Sequence, residues 1–214
     1  IIIVNKPAGQ LSQGAKGFDL DLVNEVMTYN ASQGKPAYAA IINRLDRPVS
    51  GLVLIAKNKS AAAKYSTLMQ KEGGFNKQYE ALICGKVSEP KGTFVDYLKK
   101  DGRTNTSAIV PAYAAANDKE AKLSKLEYEV ISYDEVKDIT HVRIHLITGR
   151  HHQIRVQFAS RRHPLVGDYK YATADCGMDN AVKAVALKRN QIALCAVSLT
   201  IENETYSIVP DFMP

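Results

Sequence analysis

The sequence predicts an α+β fold: a large mixed, mainly antiparallel sheet with flanking helices. Strand-like runs alternate with helical periodicity in the first part of the chain. Period-two stretches then follow one another in the second part, and no internal repeat or low-complexity linker divides the 214 residues. At 45% hydrophobic and 23% charged residues the composition is that of a folded globular chain, not of a disordered, collagenous or coiled-coil one. No apolar run approaches the roughly 20 residues that span a bilayer, so a membrane protein is not expected.

The elements follow in order. Ile1 to Val4 reads as a strand that Pro7 and Gly9 turn. Asp19 is placed to cap a short helix carrying Leu22, Val23, Val26 and Met27 on one face, and Gly34 and Pro36 break the chain after it. Leu52 to Ala56 is apolar throughout, as a strand covered on both faces requires. Ser60 is expected to open a helix with Ala61, Tyr65, Leu68 and Met69 along one side, ended by Gly73 and Gly74. Lys77 to Val87, Leu126 to Ile131 and His141 to Ile147 alternate, with Val142, Ile144 and Leu146 inward and Arg143 and His145 outward. Pro90 to Asp118 reads as a strand end followed by an irregular insertion. Thr148 to Arg150 is a turn, and His152 to Ser160 a short helix bearing Ile154 and Phe158. The chain opens without Met on what already reads as strand, so a segment upstream is expected.

Lys and Arg number 28 against 22 acids, a net charge of +6 that favours anionic partners. The three cysteines are widely spaced, which suits neither a disulfide framework nor a paired-cysteine metal site and fits a reducing, cytoplasmic setting. Asp46 lies between Arg44 and Arg47, directly before the buried strand. By local pattern it reads equally as a turn carboxylate between solvated arginines or as a catalytic group that nearby guanidinium charges keep ionised. All five histidines fall between positions 141 and 163, among Arg143, Arg150, Arg155, Arg161, Arg162 and Lys170, with Asp168 the sole acid of the cluster. No metal site is expected there, because adjacent His151 and His152 are read as pointing apart. A basic face meeting phosphate is the better reading, against that of a solvated surface. Tyr79 on its strand reads as packing, and Lys6 to Gly9 as a turn.

Together these segments resemble the RluA-type pseudouridine synthases. Val4-Asn5-Lys6-Pro7-Ala8-Gly9 is similar to the first motif of that family. Arg44-Leu45-Asp46-Arg47 with Ser50-Gly51-Leu52 resembles the second, and Lys77 to Leu82 through Gly85 the tyrosine segment. Thr148 to Val156 resembles the third motif, and His163 to Asp168 the segment after it. The resemblance runs from residue 4 to about 171 and implies one catalytic domain over 1–214 with a central basic cleft and no S4 domain in this chain.

It further implies isomerisation of specific uridines in rRNA or tRNA by a monomer, without metal or nucleotide cofactor. Asp46 would be the nucleophile, Arg155 its ion-pair partner, Tyr79 the residue against the target base, and Arg44 the filler of the gap left by a flipped nucleotide. Arg47, Arg150, His152 and Gln153 would bind substrate, and Ile154 and Val156 border the base. Asn43 and Cys195 depart from the pattern, which commonly has His at both places. A catalytically idle RNA-binding or RNA-folding factor on the same scaffold is the alternative. A glycosidase acting on free nucleosides or sugars lacks a clear second carboxylate.

Overall fold

A computed structural model describes residues 1–14, 21–71 and 73–213. The elements, in chain order, are β1 (Ile2–Lys6), α1 (Leu22–Ser32), β2 (Ala40–Ile41), β3 (Ser50–Ala56), α2 (Lys59–Gln70), β4 (Phe75–Cys84), β5 (Lys91–Asp101), β6 (Thr106–Val110), α3 (Ala112–Ala115), β7 (Lys122–Asp134), β8 (Ile139–Leu146), α4 (Gln153–Ala159), α5 (Met178–Val185), β9 (Leu194–Ile201) and β10 (Glu204–Ser207). They fall into two compact units, residues 1–76 with 195–211, and 77–194 with 212–214.

In the first unit β3 is the central strand, and all seven of its residues are buried, as its unbroken apolar run requires. β1 pairs with it antiparallel from Ile2 opposite Ile55 to Lys6 opposite Gly51. β9 joins its opening residues in parallel, Ser50 opposite Cys195 and Gly51 opposite Ala196, while β2 pairs antiparallel with its far end. α2 lays Tyr65, Leu68 and Met69 against a core of Ile42, Leu52, Leu54, Phe75 and Leu199. The cap of α2 is Asn58, not Ser60: the Asn58 side chain accepts from the Ala61 N–H at 2.8 Å. Asp19 lies outside the described residues. The cap of α1 is Asp21, whose carboxylate accepts from the Asn24 N–H at 2.9 Å, so that Leu22, Val26 and Asn30 face inward.

In the second unit β4, β8, β7, β5 and β6 form an antiparallel run in that order. Val142, Ile144 and Leu146 are buried and Arg143 is exposed, the alternation that period two predicts. The insertion expected over Pro90 to Asp118 is instead regular structure, the β5–β6 hairpin and α3. Its strands are half-exposed, and β5 carries Lys91, Lys99 and Lys100, so little apolar alternation marks them; β5 takes its register from distant β7, and β6 pairs with β5. One apolar anchor is decisive. Phe94 of β5 packs against Tyr128 of β7 and Phe158 of α4, at ring-centroid distances of 4.8 and 5.1 Å.

Candidate active-site residues

Asp46 lies half-buried in the loop between β2 and β3, with Arg44 and Arg47 exposed on either side and Leu45 buried. This loop is held from four directions. The buried Ser12 hydroxyl donates to the Leu45 carbonyl at 2.6 Å and accepts from the Leu45 N–H at 3.2 Å. Gly9 N–H donates to the Arg47 carbonyl at 2.7 Å, and Arg47 Nε returns a bond to the Gly9 carbonyl at 2.8 Å. Asn43 Nδ2 donates to the Leu52 carbonyl at 3.1 Å while its Oδ1 accepts from the Leu54 N–H at 2.7 Å. Ser50 Oγ donates to Asp211 at 2.9 Å. Asn43 is therefore a bracket for β3, and its departure from the family pattern falls on a structural bond.

Lys6 explains the turn that the sequence left unassigned. It is fully buried, and its amine donates to the carbonyls of Pro7 at 2.9 Å, Gln10 at 3.0 Å and Arg47 at 3.5 Å. Burial pushes its pKa down to about 8, against the opposing pull of Asp46 and Asp211. The ammonium thus ties the first motif to the backbone beside Asp46. Neither this role nor that of Ser12 is visible in sequence, since both rest on contacts across more than thirty residues.

The other predicted residues lie in the second unit. Tyr79 is buried on β4 opposite Ile144. The turn before α4 is closed by Gln153: its Oε1 accepts from Thr148 Oγ1 at 2.8 Å and from the Arg150 N–H at 3.0 Å, and its Nε2 donates to the Lys125 carbonyl at 3.1 Å. Arg150 is exposed, its Nε on the Leu123 carbonyl at 3.0 Å. Ile154, Arg155 and Val156 are buried in α4. His152 takes the left-handed conformation, φ 54°, at the start of that helix. This overturns the expectation that His151 and His152 point apart: the rings stack at 3.8 Å, because the left-handed residue breaks the alternation.

The guanidinium of Arg155 meets Asp168 through two nitrogens, Nε and Nη2, each at 2.7 Å, with both side chains almost wholly buried. Such a fork fixes the plane of the group as well as its charge. The Tyr171 ring covers its face at 5.2 Å, and the Tyr171 hydroxyl meets His152 Nδ1 at 2.6 Å and accepts from the Ser107 N–H at 2.9 Å. Sequence reading gave Asp168 and Tyr171 no role. The signal for the first was there, a single acid among eleven cations and histidines.

A family model described as RNA pseudouridylate synthase matches residues 1–160. The chain belongs to that family. It is 29% identical, over its whole length, to the ribosomal large subunit pseudouridine synthase D of Vibrio cholerae. It is 33% identical, over 80% of its length, to the ribosomal large subunit pseudouridine synthase C of Rickettsia bellii. The chain spans 66% of the first relative and 54% of the second. Among solved structures, human RNA pseudouridylate synthase domain containing 1 superposes over 98% of this chain and 79% of its own, with a TM-score of 0.73 at 24% identity, which shows the shared α+β fold.

Proposed function

We propose that this chain is the catalytic domain of an RNA pseudouridine synthase that isomerises specific uridines, with Asp46 as the nucleophile. The reading is carried by the Asp46 loop: in a chain of this family, a half-buried carboxylate sits on a backbone bonded on both sides by Ser12, Gly9 and Lys6. A loop so held presents its carboxylate without a large ordering cost at the moment of reaction.

The isomerisation breaks the bond between N1 and C1′, rotates the uracil and joins C5 to C1′; the C5 proton leaves and one is returned at N1. Atoms and electrons balance within the nucleotide, so no redox partner enters. A charged Asp46 assists by attack on C1′, by addition at C6 or by taking a sugar proton. Arg155, fixed in plane by Asp168, is the ion-pair partner that aims it. Tyr79 packs on the uracil, with Ile154 and Val156 bordering it. The target must leave its stack at a cost of a few kcal/mol, and exposed Arg44 fills the gap. Arg47 and Arg150 meet the RNA backbone, and His152 and Gln153 shape the turn that presents Arg150. The curated relatives are named for the large ribosomal subunit, so rRNA is the first substrate to examine and tRNA the second. The protein acts as a monomer in the cytoplasm.

The test is a pseudouridine map by carbodiimide labelling of total RNA, taken from a strain lacking the protein and incubated with it. New sites are expected with wild type and none with Asp46→Asn. No new site in any rRNA or tRNA would refute the reading, and equal complementation of the deletion by wild type and Asp46→Asn would establish an idle RNA-binding factor in its place.

A further inference from the structure

Several cations near the turn before α4 are engaged by the protein itself. Arg155 is forked onto Asp168, Arg150 Nε donates to the Leu123 carbonyl, and Lys170 donates to the Asn105 carbonyl at 3.3 Å. Lys77 differs. It lies near the start of β4, two residues before Tyr79, so the two side chains leave the strand on the same face about 7 Å apart. Its amine reaches the turn: a Cβ added to Gly149 would stand 3.6 Å from Lys77 Nζ. The amine therefore stands within van der Waals reach of the turn that presents Arg150.

Among the described residues no carboxylate and no carbonyl accepts from this amine, and burial alone acts on it, lowering its pKa. A half-buried cation with no protein anion has lost hydration and gained nothing in return. Such a group is tolerated where the missing anion arrives with the ligand.

We propose that Lys77 binds a phosphodiester of the RNA next to the nucleotide that Tyr79 receives. This rests on the RNA reading above and adds to it a backbone contact on the face of β4 that carries Tyr79. The neighbouring phosphates of a polynucleotide chain repeat on the same 6–7 Å scale as alternate residues of a strand, so one ligand spans both positions.

Two measurements test it with the fluorescent nonamer of uridylate as the probe. The first is the salt dependence of binding, between 50 and 300 mM KCl on the assay side. Lys77→Met is expected to reduce the log–log slope by about 0.7, one phosphate on a single strand, while Lys77→Arg and the remote control Lys137→Met keep the wild-type slope. The second uses the wild-type protein and so does not depend on any variant folding: acetylation of amines by an N-hydroxysuccinimide ester, read by mass spectrometry. Lys77 is expected to be acetylated in the free protein and protected by the nonamer, but not by free uridine or by inorganic phosphate at equal phosphate concentration. An unchanged slope in Lys77→Met, or acetylation of Lys77 unaffected by the nonamer, overturns the proposal. Equal protection by inorganic phosphate reduces Lys77 to a small-anion site and overturns it too, and protection by uridine reassigns it to the base. Neither assay reads isomerisation. Pseudouridine formed with no Lys77 effect sinks this inference alone, and a Lys77 effect without pseudouridine sinks the catalytic reading alone.

Discussion

Arg155 shows how much a single buried charge depends on its neighbours. Its side chain is 5% exposed and that of Asp168 1%, so each has given up its water and is compensated by the other. Removing one partner strands the other. Asp168→Asn is therefore expected to lower the unfolding free energy by about 3–5 kcal/mol, measured by urea titration. Replacing both, as Arg155→Met with Asp168→Leu, should recover much of that loss while leaving the protein without isomerase activity. A double variant no more stable than Asp168→Asn would show that the pair matters to the fold in some way other than mutual compensation. The sequence placed Arg155 in a motif and noted Asp168 as a lone acid. It had no means of joining them, because the bond depends on α4 and the segment after it folding back together.

At the scale of elements, β3 and its neighbours carry the loop of Asp46. Gly51 is the narrow point: its φ is +123°, and a Cβ there would lie 2.4 Å from the backbone nitrogen of Ala196 on β9 and 2.5 Å from its oxygen. Any side chain forces the parallel strands apart and strains the backbone as well. Gly51→Ala is expected to cost more than about 4 kcal/mol, at the far end of single-substitution effects, and to show as a large fall in melting temperature or as insoluble protein. A shift of only a degree or two would mean that β9 yields easily. The strand itself was legible, because burial on both faces leaves the unbroken apolar run from Leu52 to Ala56. So was α4, from Ile154 and Phe158 one turn apart. The β5–β6 hairpin was not, since half-exposed strands carry polar residues on both faces and β5 owes its register to distant β7. The caps were also misplaced, at Asp19 and Ser60 for Asp21 and Asn58, because several polar residues precede each helix and only backbone conformation selects among them.

For the whole molecule the governing quantity is an excess of six positive charges over 214 residues, without a helix long and apolar enough to cross a membrane among the described residues. Binding of a polyanion by such a chain is driven by release of counterions, and chemistry at one carboxylate is separable from it. Asp46→Asn is expected to bind single-stranded RNA with the wild-type salt slope while forming no pseudouridine, measured by fluorescence anisotropy beside the map. A changed slope would place Asp46 in RNA binding as well. The sequence by itself determined the α+β class, the central buried strand and the ordered motifs that identify the family, because those follow from local periodicity and from short runs of residues. Tertiary structure alone decided that Lys6 and Ser12 hold the Asp46 loop, that Arg155 is gripped by Asp168 and Tyr171, and that Lys77 has no anion among the described residues. Each of these depends on how separate segments pack and on burial, which no stretch of sequence specifies until the chain has packed.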